Sequence, residues 1–143
     1  MNLAQTLMLK NWNSLQTQPL IFLLIGDLGS GKTQFAKGIG KFLKLKANIN
    51  SPTYTIAKEY DYCRHGVSGR FLHLDTWRLQ HLEEFSQLQL EKELKPKNIL
   101  AVEWADRTLQ PMLQLAKKTK AKVITVKISV GSSPTHRRIT FSP

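Results

Sequence analysis

The segment Gly26-Asp27-Leu28-Gly29-Ser30-Gly31-Lys32-Thr33 constrains this chain more than any other feature. It satisfies the spacing G-x-x-x-x-G-K-[ST] in full. Its glycines let the backbone wrap close to phosphate oxygens. Successive N–H groups then turn inward as an anion nest. A helix starting near Thr33 aims its positive end at the same place. Lys32 supplies a mobile ammonium for the β- and γ-phosphates, and the Thr33 hydroxyl is a hard ligand for Mg²⁺. The flanks agree. Ile21-Phe22-Leu23-Leu24-Ile25 is a continuous apolar run, as in a strand buried on both faces of a parallel sheet. After the loop, Phe35, Ile39, Phe42 and Leu43 recur at helical spacing, with Lys37, Lys41 and Lys44 largely off that stripe. An amphipathic helix is therefore expected there. ATP with Mg²⁺ is the expected ligand.

The remaining pattern extends this start into a domain. Leu3, Leu7, Trp12 and Leu15 suggest a short first helix. Thr55 to Tyr60 reads as a strand, Arg64 to Gly69 as a hairpin tip, and Phe71 to Leu74 as a strand leading into Asp75. Leu79 to Leu94 reads as one helix that Pro96 ends. Ile99 to Val102 is a buried strand running straight into Glu103. Leu109 to Ala116 marks a helix with Pro111 in its first turn. Lys122 to Val130 alternates as a half-buried strand, and Ile139 to Phe141 suits an edge beside it. The order αβαββαβαββ predicts an α/β protein: a three-layer P-loop NTPase fold with a mostly parallel central sheet and antiparallel additions. With 143 residues, residues 1–143 read as a single ATPase domain. No apolar run approaches the roughly 20 residues that span a bilayer. The N-terminal residues lack the features of a leader, and Cys63 is the sole cysteine. The expected location is the cytoplasm, with no membrane contact.

Asp75 and Glu103 each terminate an apolar strand, and ligands of open α/β sheets sit beyond such strand ends. Both carboxylates should face the crevice of the phosphate loop, where they can serve Mg²⁺ or position the attacking water. Asp75 could equally cap the segment that follows it. Glu103 as a solvated strand end is the weaker alternative, since Glu suits such a strand poorly. Trp104 could be core, Thr53 could only initiate a turn, and His73 reads as structural. No zinc site and no Ser-His-Asp set is apparent.

Lysine and arginine number 21 against 10 acids, a formal charge of +11. No acid occurs from Leu28 to Lys58 or from Arg107 to Pro143. A basic field of this kind attracts polyanions, either nucleic acid or an acidic partner face. It is also compatible with a soluble surface that uses lysine.

The phosphate loop, Ser51-Pro52-Thr53-Tyr54-Thr55, His73-Leu74-Asp75-Thr76-Trp77-Arg78-Leu79 and Val102-Glu103-Trp104 occur in that order. In this combination the chain resembles the TsaE (YjeE) family, the P-loop ATPases of bacterial tRNA threonylcarbamoyladenosine synthesis. The resemblance runs from about residue 3 to residue 107. It implies ATP hydrolysis, slow alone and stimulated by the partners TsaD and TsaB, that supports modification of an adenosine beside the tRNA anticodon. It implies that Asp27, Leu28, Gly29, Ser30, Gly31, Lys32, Thr33 and Gln34 hold the nucleotide. Thr53 would sense the γ-phosphate and Trp104 would lie at the nucleotide or its switch. Catalysis would fall to Lys32, Asp75 and Glu103, and the metal to Thr33, Asp75 and Glu103. Three features depart from the family. Trp77 stands where tyrosine is usual, the charge is unusually basic and could add direct tRNA contact, and the tail after His136 is short, which leaves adenine contacts near Arg137 or Arg138 open. Arg78 is a candidate arginine finger. Two other readings remain: a small-molecule P-loop kinase, with Arg64 to Arg70 as a short lid, and a basic tRNA-binding module.

Overall fold

The computed structural model describes residues 1–52 and 55–143. Its elements are α1 (Leu3–Asn11), β1 (Leu20–Ile25), α2 (Lys32–Phe42), β2 (Ala57–Arg64), β3 (Val67–Asp75), α3 (Leu82–Gln87), α4 (Leu90–Glu93), β4 (Ile99–Glu103), α5 (Leu109–Thr119), β5 (Lys122–Val130) and β6 (Arg137–Ser142). The sheet order is β2-β3-β4-β1-β5-β6. The four inner strands run parallel, and β2 and β6 close the edges antiparallel. This is the α/β class expected, with β1 near the middle because its side chains are apolar on both faces. Leu20, Phe22 and Leu24 point into one core, beneath α1 and α2. Ile21 and Leu23 point into the other, beneath α3, α4 and α5. Alternation across a strand makes a continuous apolar run the signature of a middle layer.

Several boundaries differ from expectation. The strand read from Thr55 to Tyr60 runs instead over Ala57–Arg64. The span from Leu79 to Leu94 is not one helix. Gln89 takes a left-handed backbone, φ +50°, and separates α3 from α4. Phe85 and Leu90 both enter the core, yet five residues on a continuous helix would set them about 140° apart. The break restores a common direction. The hairpin tip is also shorter. Only His65 and Gly66 turn, both at positive φ, as a two-residue hairpin favours. Arg64 and Val67 to Gly69 belong to the paired strands, so this stretch is a hairpin rather than a lid. Among the described residues, no helix is long and apolar enough to cross a membrane.

The hairpin is tied to the main sheet through Tyr62. Its ring is buried, and its hydroxyl donates to the Lys97 carbonyl at 2.6 Å. Burial pushes its titration up to about 12. The neutral form is therefore favoured in the fold, and the phenol's contribution is present below pH 10 and lost as pH rises toward 12. Replacing Tyr62 by Phe should cost about 1 kcal/mol in urea unfolding at pH 8. At pH 11 the gap to the wild type should narrow by up to about 1 kcal/mol, after discount for partial solvation. A gap that does not change with pH would argue against this account of Tyr62.

Candidate functional site

The loop after β1 is shaped by two glycines. Gly31 lies at φ +114° and forms the N-cap of α2 with no side-chain cap, so the first amides of that helix face the loop's concavity. At Gly26 a Cβ would lie 2.2 Å from the Ile128 carbonyl and 2.7 Å from Ser30 Oγ. Only glycine lets β5 and the loop approach this closely. Around the Cβ positions of Gly29 and Gly31 nothing lies within 4 Å, so the cradle's interior is open. Ser30 is buried, and its Oγ has no partner among the described residues.

The neighbouring strands deliver the acids. Register places Asp75 of β3 opposite Glu103 of β4, and Glu103 opposite Leu24 of β1. Glu103 therefore lies between the phosphate loop and Asp75. It is 3% exposed, not a solvated strand end. Thr33 Oγ1 reaches its two carboxylate oxygens at 2.9 and 3.1 Å. His73 Nε2 lies 2.8 Å from Oε1. A proton on Nε2 serves the carboxylate and leaves Nδ1, unpartnered among the described residues, as a bare lone pair. Asp75 does not cap a helix, because α3 begins only at Leu82. Its Oδ2 accepts from Ser51 Oγ at 2.8 Å and its Oδ1 from the Trp77 amide at 2.9 Å. Thr76 Oγ1 shares its proton between the Glu103 and Trp104 carbonyls, both at 2.9 Å, and pins the two strand ends together.

Lys32 is turned back on the loop. Its Nζ donates to the carbonyls of Gly26 at 2.5 Å and Asp27 at 2.9 Å. It also stands 3.7 Å from the centroid of the Trp104 ring, a cation–π distance. Trp104 packs on Trp77, centroids 4.4 Å apart. Burial lowers the Lys32 pKa, against the opposing pull of Glu103, Asp75, Asp106 and Asp27. Phosphate oxygens would offer this ammonium better partners than two carbonyls.

A cleft of about 350 Å³ contains Lys32, Thr33, Ser51, Asp75, Glu103 and Trp104, with Leu28, Gly29, Gly31 and Gln34 on its wall. A second, of about 450 Å³, shares Gly29, Gly31 and Gln34 and extends past Asn2, Leu3 and Arg137. Together they form one trough on both sides of the loop. A larger cleft of about 690 Å³ lies between α4 and α5, away from these groups. Among the described residues no three His, Cys, Asp or Glu side chains cluster as a metal site. A cation here would depend on Thr33, Glu103, Asp75 and the phosphates themselves, the arrangement Mg²⁺ prefers. The residues present thus fit a magnesium nucleotide.

Asp27 and Leu28 contribute backbone, since both side chains point to solvent, Leu28 at 88% exposure. Thr53 lies outside the described residues. Arg78 is exposed and does not line the cleft. Arg138 is exposed on β6. Two contributors were not read as such in the sequence. His73 reads as structural from its sequence; the available signal is an imidazole set between Leu72 and Leu74. Arg137, near which adenine contacts were left open, holds the loop from behind, donating to the Ser30 carbonyl at 2.9 Å and the Gly29 carbonyl at 3.2 Å.

The model of the family described as "Threonylcarbamoyl adenosine biosynthesis protein TsaE" matches residues 2–139. Proteins named tRNA threonylcarbamoyladenosine biosynthesis protein TsaE are similar to this chain. That of Borreliella burgdorferi is 39% identical over 113 residues, 78% of this chain and 75% of the relative. That of a Synechocystis strain is 42% identical over 93 residues, 63% of this chain and 57% of the relative. That of Bacillus subtilis is 39% identical over 85 residues, 59% of this chain and 50% of the relative. The matched segments thus span between half and three quarters of these relatives. Among solved structures, that of Bacillus subtilis YdiB aligns with a TM-score of 0.54 at 25% identity, covering 99% of this chain and 80% of the other.

His73→Phe keeps a planar ring, somewhat larger than imidazole, and removes a donor to a buried carboxylate. It should destabilise the fold by about 2 kcal/mol, read as a lowered urea midpoint with an unchanged slope. An unchanged midpoint would mean that Glu103 does not need the imidazole.

Proposed function

This chain belongs to the TsaE family, and on that premise we propose that it is an ATPase of tRNA threonylcarbamoyladenosine biosynthesis. In this reading, residues 1–143 act as one unit in the cytoplasm. They hydrolyse ATP slowly alone and faster beside the family's partners TsaD and TsaB, which carry out the transfer to tRNA. The observation that carries the reading is the contact between Thr33 at the start of α2 and Glu103 at the end of β4, 2.9 Å apart beside an open phosphate cradle.

The nucleotide lies along the trough. Its phosphates enter the cradle made by Asp27, Leu28, Gly29, Ser30, Gly31, Lys32, Thr33 and Gln34. Its base takes the side flanked by Asn2 and Arg137. Thr33, Glu103 and Asp75 are the residues that would hold Mg²⁺, which would supply positive charge to offset that of the phosphates. Lys32 leaves the Gly26 and Asp27 carbonyls for the terminal phosphates and neutralises charge as it builds in transfer. Glu103 orients the attacking water, and His73 fixes the carboxylate's direction. Ser51 links the segment before Thr53 to Asp75, so a change at Asp75 is felt by the loop that would sense the γ-phosphate. Trp77 and Trp104 cover the ammonium and limit water around it.

ATP–Mg²⁺ at 100 times its dissociation constant should stabilise the protein by about 2.7 kcal/mol. That corresponds to a melting shift on the order of 8 °C for a chain of this size. Lys32→Ala should abolish the shift. Glu103→Gln should keep most of it and lose at least about 100-fold in turnover. A Glu103→Gln enzyme that hydrolyses ATP at the wild-type rate, with TsaD, TsaB and tRNA present, would refute the role of Glu103.

A further inference from the structure

The site described uses Lys32 and leaves the other lysines of this chain without a role. From Leu28 to Lys58 the sequence has no acid, and α2 runs through the middle of that stretch. Lys37, Lys41 and Lys44 follow one another at i, i+4 and i+7, all exposed. Lys37 and Lys41 share the face of α2 opposite the one that Phe35, Ile39 and Phe42 bury, and Lys44 follows just past the C-cap. The backbone positions of Lys37 and Lys41 are about 6 Å apart along the helix axis.

This basic face also borders a groove. The Lys44 amide bonds the Lys41 carbonyl, the Leu45 amide bonds the Gly40 carbonyl, and Lys44 is left-handed at φ +58°. This closure reverses the chain. Residues 45–50 come back beside α2 and enclose a cleft of about 450 Å³ between Lys37 and Lys41 on one wall and Asn48 and Asn50 on the other. A neighbouring cleft of about 390 Å³, sharing Leu45 and Ala47, continues past Lys44 and Lys46 to Tyr60. Among the described residues none of these lysines is in an ion pair; the pairs fall to Arg70, His73 and Lys118.

We infer that this groove is a docking surface for the phosphate backbone of RNA. Its chemistry separates RNA from an acidic protein. Protein interfaces are depleted in lysine and built around buried aromatic or arginine anchors; the cleft between Lys37, Lys41, Asn48 and Asn50 has neither in its lining, and Tyr60, Tyr62 and the acid Asp61 line only its continuation past Lys44. Flexible ammonium groups beside side-chain amides suit a line of phosphates, which they position without reading bases. The tRNA-biosynthesis reading enters only in the choice of RNA as the polyanion. The groove adjoins the phosphate site in the chain: residues 45–50 lead directly to Ser51, which bonds Asp75.

The test is fluorescence anisotropy of labelled, unmodified tRNA with the full chain between 50 and 250 mM KCl, in the ranges where such slopes are read. Wild type should bind with log K falling against log salt at a slope of about −3, for roughly four phosphate contacts. The variant Lys37→Gln/Lys41→Gln/Lys44→Gln should flatten that slope by about 2–3 units and bind at least tenfold more weakly at about 100 mM salt. The control Lys117→Gln/Lys118→Gln/Lys120→Gln removes the same charge from α5 and its C-cap, where Lys118 already pairs with Glu91 at 2.9 Å. It should stay within threefold of wild type. Three results would overturn the inference: no salt-dependent binding by wild type, an equal loss in the control, or displacement of tRNA by polyglutamate of equal charge at equal concentration, which would assign the groove to an acidic protein. The ATP–Mg²⁺ melting shift is measured on the same samples. A shift that survives while tRNA binding is absent locates the failure in the α2 groove, and a wild type without the shift locates it in the nucleotide reading.

Discussion

The contact on which this structure depends is the buried carboxylate of Glu103. Taking an ionised carboxylate out of water costs several kcal/mol, on the order of the whole stability of a domain, unless its oxygens find donors. Here the donors come from two directions: the Thr33 hydroxyl from α2 and the His73 imidazole from β3. One charge therefore fixes the phosphate-loop helix against the sheet and the sheet strands against each other. Hydrophobic burial would hold the layers together without it, but it is non-directional. The carboxylate sets the angle at which the loop meets the strand ends.

Around that carboxylate the site balances burial against charge. Lys32 is desolvated under Trp104, which lowers its pKa, while four carboxylates within its field pull the other way. An ammonium kept charged by distributed acids, yet partly dry, interacts with an arriving phosphate more strongly than it would in water. In this state it spends its donors on the loop's own carbonyls. The Trp77–Trp104 pair completes the arrangement by giving the lysine an aromatic face in place of water. Thr76 then matters although it touches no candidate ligand, because it holds the carbonyls of Glu103 and Trp104 in one turn.

What was legible in the sequence follows from range. The loop, β1 and α2 are local signals, read from spacing within a few residues, and the structure keeps them together. Glu103 at the end of β4 was legible, because a carboxylate after four apolar strand residues has few places to go, whereas Asp75, which follows His73 and Leu74, read equally well as a cap. The bond from His73 to Glu103 was not legible: its partner lies 30 positions away, and it depends on the β3–β4 register, which no local pattern encodes. Arg137 reaches Ser30 across 107 positions and follows only from β6 closing the edge beside β5. The break at Gln89 is a different failure. Helical propensity supported a continuous helix, and the need to bury both Phe85 and Leu90 overrode it.

The α2 helix joins the two halves of this account. Its first turn is uncapped and carries partial positive charge, which suits phosphates. Its last turn carries partial negative charge, which favours the placement of Lys41 there. The same dipole that makes one end an anion site thus favours Lys41 at the other and offsets part of its repulsion with Lys37 four residues before it. The two ends cannot exchange roles, because the buried stripe of Phe35, Ile39 and Phe42 fixes which face is covered. A single helix so constrained presents a phosphate cradle at the sheet's edge and a basic ridge to solvent. The chain that leaves it returns by way of Ser51 to the acid at the end of β3. Residues 45–50 thus lead in the chain from the basic face of α2 to Ser51, whose hydroxyl donates to Asp75 at 2.8 Å.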